Sequence, residues 1–133
     1  MNYLVDTHIL LWSFLETGKL SKEIKSILLD DNNNIFYSPI SLWEISIKYG
    51  LRKLFLNGGT PDDFFTELKN SYYHCKAIDA EDLITSYKLP SHHKYPFGRF
   101  LIWEAIRSDF TLINVDAVME LYRTEGLKVI YAG

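Results

Sequence analysis

The sequence predicts a single α/β domain with a central, mostly parallel sheet and helices on both faces. Short apolar runs of strand length alternate with longer runs whose apolar residues follow helical spacing, the pattern of a parallel sheet. No internal repeat, low-complexity stretch or linker divides the 133 residues into smaller units. The composition is 47% hydrophobic and 15% aromatic, which excludes a disordered chain and suffices for one sizeable core.

Five apolar runs of four to six residues are predicted strands, each bounded by polar or turn-forming residues. They cover residues 2–5, 35–38, 73–78, 111–114 and 128–131. The predicted helices between them cover about residues 7–17, 22–29, 42–49, 61–70, 80–88 and 97–106, with a short one over 117–122. Capping residues support several starts: Asp6 or Thr7, Ser21, Thr60 followed by Pro61, and Asp79.

Charge and cysteine content narrow the class of protein. Fourteen basic and seventeen acidic residues give a net charge of −3, so no overall positive field indicates a nucleic-acid partner. Cys75 is the only cysteine, which excludes an internal disulfide and a cysteine-based zinc site. The sequence shows no secretion signal and no apolar run of the ~20 residues that a membrane span needs. We therefore expect a cytoplasmic protein without a membrane partner.

Three acids are the candidate catalytic and metal-binding residues. Asp6 and Asp116 directly follow predicted strands, and Glu44 lies at the start of the helix after the second strand. The carboxyl ends of parallel strands share one edge of a sheet, so these carboxylates should meet there. Clustered carboxylates repel one another, and a hard divalent cation such as Mg²⁺ or Mn²⁺ relieves that repulsion. Such an ion can promote phosphodiester hydrolysis.

Each acid also has an ordinary structural explanation. Asp6 and Asp116 precede helices and could be N-caps, worth about 1 kcal/mol each. Glu44 stands three residues after Ser41, the spacing of a capping box. Convergence of all three acids on one crevice is what favours the metal-site hypothesis over three separate caps.

Four sequence blocks, at residues 3–8, 41–45, 92–99 and 111–116, resemble the ordered blocks of PIN domains, in particular the VapC-type toxins of type II toxin–antitoxin pairs. The resemblance implies a Mg²⁺-dependent endoribonuclease that acts on RNA, is neutralised by a cognate antitoxin and is often a homodimer. It also implies that Asp6, Glu44 and Asp116 are three of the metal-binding acids, and that Arg99 is the arginine beside the fourth.

The fourth acid of this pattern is absent. Gly98 stands where the family typically has an aspartate, and Tyr95 replaces an acid three residues earlier. We therefore expect weak binding of a single metal, with catalysis reduced or lost. The alternative is an inactive PIN-fold binding module that pairs with an antitoxin or with itself. A receiver-type signalling domain is disfavoured, because the acidic pair and the late lysine of that class are missing. Glu104 lies about 240° around the helix from Gly98 and should not substitute for the acid.

Several polar residues could assist such a site. His92, Lys94 and Arg99 form a small basic patch suited to phosphate contacts, although a solvated loop is an equal alternative. Thr7 and Asn114 could hydrogen-bond the metal-binding carboxylates. The apolar surface near Trp12 and Trp43 exceeds what a small domain is expected to bury, and any excess would face a partner.

Overall fold

A computed structural model of the protein describes residues 1–133 and contains one five-stranded sheet in the order β3-β2-β1-β4-β5. Every neighbouring pair of strands is parallel. The strands are β1 (Asn2–Val5), β2 (Asn34–Tyr37), β3 (His74–Cys75), β4 (Thr111–Asn114) and β5 (Lys128–Tyr131). The predicted single α/β domain with a parallel sheet is confirmed.

Six α-helices connect and cover the strands. They are α1 (Thr7–Leu15), α2 (Lys22–Leu29), α3 (Pro39–Gly50), α4 (Pro61–Lys69), α5 (Ala80–Thr85) and α6 (Pro96–Ser108). Three short 3-10 helices cover Thr17–Lys19, Ser86–Lys88 and Ala117–Glu125. No helix is both long and apolar enough to cross a membrane.

The sheet is buried on both faces, as β1 demonstrates. Tyr3 and Val5 pack into a core cluster with residues of α1, α2 and α4, whereas Leu4 packs into a second cluster with residues of α6 and β4. Since successive side chains of a strand point to opposite faces, the two clusters lie on opposite sides of the sheet. Helices therefore cover both faces, and the central strands β1 and β4 are fixed from both sides.

The structure corrects several predicted boundaries. Helix α3 begins at Pro39 rather than near residue 42, because the Ser38 hydroxyl caps it by accepting the Ile40 N–H at 3.1 Å. Because Ser38 caps α3, strand β2 ends at Tyr37. Strand β3 has two paired residues, His74 and Cys75, instead of the six that were predicted. The first helix stops at Leu15, and the turns near Gly18 form a separate 3-10 helix.

Candidate metal centre and its surroundings

The side chains of Asp6, Glu44 and Asp116 all line one cavity of about 80 Å³ at the carboxyl edge of the sheet. Asp6 follows β1, Asp116 follows β4, and β1 and β4 are adjacent. Glu44 enters from the first turns of α3, which follows β2 on the other side of β1. The parallel topology thus brings together three acids that are far apart in the sequence.

Asp6 is both a helix cap and a buried acid. Its Oδ1 accepts the Ile9 N–H at 2.8 Å, and its Oδ2 accepts the Val115 N–H at 3.2 Å. The residue is 6% exposed, and burial raises the pKa of its carboxyl to about 6, against the lowering effect of these hydrogen bonds and of His8. The carboxylate therefore lacks a full counter-charge, which is the condition that a bound cation would relieve.

Asp116 sits at the exposed mouth of the cavity. Its Oδ1 accepts the Val118 N–H at 3.0 Å and so caps the 3-10 helix that follows, while Oδ2 has no hydrogen-bond donor. Asn114 does not bond this carboxylate. Its Oδ1 accepts the Asp116 backbone N–H at 2.9 Å, and its buried Nδ2 has no partner. Asn114 therefore shapes the turn that carries Asp116.

Glu44 differs from both aspartates because its carboxylate is paired with a cationic side chain of the protein. Thr7 donates its hydroxyl to Oε1 at 2.7 Å, Lys48 lies 2.6 Å from Oε2, and the Tyr95 hydroxyl also donates to Oε2. Burial opposes ionisation of this 3% exposed residue, but the bonds from Lys48, Tyr95 and Thr7 lower its pKa below the ordinary value. Glu44 is an ionised carboxylate with an internal counter-ion.

The capping-box alternative for Glu44 is wrong. Helix α3 is capped by Ser38, and the Ser41 N–H donates to the Ser38 carbonyl at 3.0 Å. The capping alternatives for Asp6 and Asp116 are right, yet both residues also line the cavity. Capping and membership of the site are therefore compatible at these strand ends.

Neighbouring side chains fill the space beside Gly98. A Cβ placed on Gly98 would lie 3.2 Å from Met119 Cε, 3.3 Å from His93 Nε2 and 3.5 Å from Tyr95 Cδ2. His93 Nε2 is buried without a hydrogen-bond partner, and burial lowers the pKa of this imidazole. Glu104, on the same helix, is absent from the cavity lining and pairs instead with Lys76, as its position on the helix predicts.

Asp6 and Asp116 offer the carboxylate oxygens at this edge that have no cationic side-chain partner, and such oxygens are the donors that a hard cation prefers. No three histidine, cysteine, aspartate or glutamate side chains lie close enough together to hold a single ion in this arrangement. Glu44 could join the two aspartates only if Lys48 moved away, and Gly98 supplies no ligand. The predicted three-acid metal site stays a prediction, and the carboxylate oxygens of Asp6 and Asp116 are its most available ligands.

The predicted basic patch is divided among different contacts. Both terminal nitrogens of Arg99 are used inside the protein, with donations to the carbonyls of Leu89 at 2.9 Å and Pro90 at 3.1 Å. His92 packs edge-on against Tyr122 and lies 3.9 Å from Glu125. Lys94 is exposed and forms no ion pair, so its ammonium group is the one available for a phosphate.

Sequence reasoning missed Lys48 as the partner of Glu44. The signal for Lys48 was its position four residues after Glu44, which places the two side chains on one helix face. The approach of His93 to Gly98 depends on the path of the loop before α6, which sequence spacing does not give. Thr7 does donate a hydrogen bond to a cavity carboxylate, that of Glu44.

No protein-family model matches the chain, and no curated protein matches it in sequence. Solved structures do match. A chain of the VapBC2 complex from Rickettsia felis, bound to a DNA fragment from its promoter, has 19% identity, full coverage of both chains and a TM-score of 0.70. A chain of DNA-bound VapBC from Salmonella typhimurium has 14% identity, coverage of 100% and 99%, and a TM-score of 0.69. A chain of FitAcB from Neisseria gonorrhoeae has 15% identity, coverage of 98% and 97%, and a TM-score of 0.67.

Proposed function

We propose, from the PIN-like α/β fold that the chain shares with the VapBC chains, that it is a divalent-cation-dependent endoribonuclease of the toxin type, attenuated by the absence of one acid at Gly98. The observation that supports the proposal most directly is the convergence of Asp6, Glu44 and Asp116 on one cavity.

The proposed chemistry divides among the residues of the cavity. Asp6 and Asp116 would hold Mg²⁺ or Mn²⁺, which when bound supplies positive charge for phosphodiester hydrolysis. Thr7 orients Glu44 through its 2.7 Å hydrogen bond. Leu101, Val115 and Met119 form the apolar part of the cavity wall beside the carboxylates. Lys94 lies outside the cavity, where an RNA phosphate could contact its ammonium group.

We also propose a cognate antitoxin as a protein partner. Two kinds of observation support it: the similar structures come from VapBC complexes, and a groove beside the cavity has an apolar lining. This groove, between α1 and α3, includes Leu11, Trp12, Ile45 and Phe55, and Phe55 is 76% exposed. Self-association as a homodimer is a further proposal, which light scattering on the purified chain tests directly.

The test of the ribonuclease proposal is cleavage of a total-RNA pool by purified protein with and without Mn²⁺. The matched control is Asp6→Asn, because asparagine retains a good N-cap for α1 while removing the charge. Cation-dependent cleavage by the parent that is lost in Asp6→Asn supports the proposal. Equal cleavage by the two proteins would assign the activity to a contaminant, and no cleavage by the parent would overturn the proposal.

Cation binding has a separate readout in thermal stability. Millimolar Mn²⁺ should raise the melting temperature of the parent, because the ion binds the folded cavity and neutralises Asp6 and Asp116. Asp6→Asn should abolish that rise. A parent that shows no response to Mg²⁺ or Mn²⁺ would count against a metal centre at this edge of the sheet.

A further inference from the structure

The Lys48–Glu44 pair is unlike an ordinary ion pair on a helix surface. Pairs with i,i+4 spacing usually join two exposed side chains and contribute little. Here the Glu44 side chain is 3% exposed and the Lys48 side chain 34% exposed, with 2.6 Å between Nζ and Oε2. The Lys48 ammonium also lies 5.1 Å from the centre of the Tyr95 ring. Lys48 is therefore packed against Glu44 from the groove between α1 and α3, outside the lining of the cavity.

The position of Lys48 excludes a metal ion from Glu44. Oε2 already accepts hydrogen bonds from the Lys48 ammonium and the Tyr95 hydroxyl, and Oε1 accepts one from the Thr7 hydroxyl. A divalent cation bound to the same carboxylate would repel an ammonium group that lies 2.6 Å from Oε2. Binding of a cation to Glu44 and the contact of Lys48 with Glu44 therefore oppose each other.

We propose that Lys48 is a built-in competitor for the metal, which occupies Glu44 in the metal-free protein and limits the cation to Asp6 and Asp116. This inference rests on the cation site of the proposed function and deepens it. Lys48 is then a residue that sets metal affinity by holding Glu44, and it need not touch substrate. The competition adds to the missing acid at Gly98 in keeping cation affinity low.

The groove beside Lys48 leaves room for its ammonium group to move away from Glu44 when a cation binds that carboxylate. It lines the groove between α1 and α3, together with His8, Trp12 and Phe55, and this groove has a volume of about 130 Å³. Its flexible four-carbon stem can swing the ammonium away from Glu44 along that groove. The displacement therefore costs one ion pair and leaves the fold intact.

The experiment compares Mn²⁺ affinity, by calorimetry and by the electron paramagnetic resonance signal of free Mn²⁺, in the parent and two variants. Lys48→Met removes the competing charge, and Lys48→Gln removes it while keeping a hydrogen-bond donor for Glu44, which protects the fold. The control is Lys19→Met, which makes the same change in net charge at an exposed pair with Glu16. No nucleic acid is present, so the readout does not depend on cleavage.

We expect the dissociation constant for Mn²⁺ to fall about tenfold in both Lys48 variants and to change less than about twofold in Lys19→Met. Lys48 variants that bind Mn²⁺ as weakly as the parent, or more weakly, would overturn the competitor role. An equal gain in Lys19→Met would also overturn it, by assigning the effect to net charge. Absence of Mn²⁺ binding in all four proteins would instead overturn the proposed cation site itself.

Discussion

Two buried glutamates, Glu44 in the cavity and Glu104 near the sheet edge at β3, differ in the hydrogen bonds that their carboxyl groups accept and in the direction in which their pKa values shift. Glu44 is ionised and bonded to Thr7, Lys48 and Tyr95, which together lower its pKa despite burial. Glu104 is 0% exposed, and neither of its carboxylate oxygens has a hydrogen-bond partner. Burial raises its pKa, although Lys76 lies 3.6 Å away. Burial alone therefore does not set the charge state; bonding partners decide it.

The largest expected effect comes from removing the charge of each glutamate in turn. Glu44→Gln should lower the free energy of unfolding by about 2 kcal/mol, because it breaks a buried ion pair and leaves its donors poorly matched. Glu104→Gln should change it by less than about 1 kcal/mol, since losing an unbonded buried charge offsets the lost attraction to Lys76. Urea unfolding at neutral pH, without metal, measures both. Equal losses would show that burial, and not bonding, governs the two sites.

The second prediction alters the charge around Glu44 directly. Gly98→Asp combined with Tyr95→Asp adds two acids and removes one donor to Glu44, so cation binding and RNA cleavage should increase at least about tenfold, or 1.4 kcal/mol. The crowding of Met119 and His93 against the new side chain at residue 98 opposes part of this gain.

The matched control for this double variant is Gly98→Asn combined with Tyr95→Asn, which makes nearly the same steric changes without adding charge. Cleavage rates with Mn²⁺ in parent, double variant and control separate the two effects. A parent that already cleaves as fast as the acidic double variant would refute the attenuation that we attribute to Gly98.

A third prediction extends the comparison to a basic residue that is fully bonded. Arg99→Ala should cost about 1–2 kcal/mol of stability, because its guanidinium donates to the carbonyls of Leu89, Pro90 and His93. Lys94 is exposed in the loop before α6, so Lys94→Ala should change the free energy of unfolding by less than about 0.5 kcal/mol. Chemical denaturation checks both. If Lys94→Ala proves the more damaging change, the assignment of Arg99 as the residue that holds the loop is wrong.

The smallest expected effect is a pH dependence at Glu104. A carboxyl whose pKa is raised on folding binds its proton more tightly in the folded state, so its destabilising effect fades as pH falls through the folded pKa toward the unfolded one. The stability difference between Glu104→Gln and the parent should therefore shift in favour of the parent from pH 7 to pH 5. Lys76 and Asp82 face this carboxyl, and neither is altered by the substitution. A constant difference across that range would contradict the raised pKa.

The sheet and the convergence of the three acids were predictable because they depend only on the spacing of apolar residues and on the parallel order of the strands. Alternating apolar runs indicate parallel strands, and strand ends at one edge place residues 6, 44 and 116 near one another. The partners of these acids were less accessible. The contacts of Lys48 and Tyr95 with Glu44 depend on side-chain rotamers and on the path of the loop before α6. The lack of a hydrogen-bond partner at Glu104 depends on the positions of all the donors around it. Sequence spacing constrains backbones far better than it constrains side-chain partners.

The adjacency of β1 and β4 has a consequence for synthesis of the chain. Asp6 and Glu44 are made well before β4 and the turn after it that carries Asp116. A chain synthesised only as far as residue 110 has two of the three acids and lacks the strand that pairs with β1 on this side. The cavity is therefore completed by the pairing of segments that are made more than one hundred residues apart.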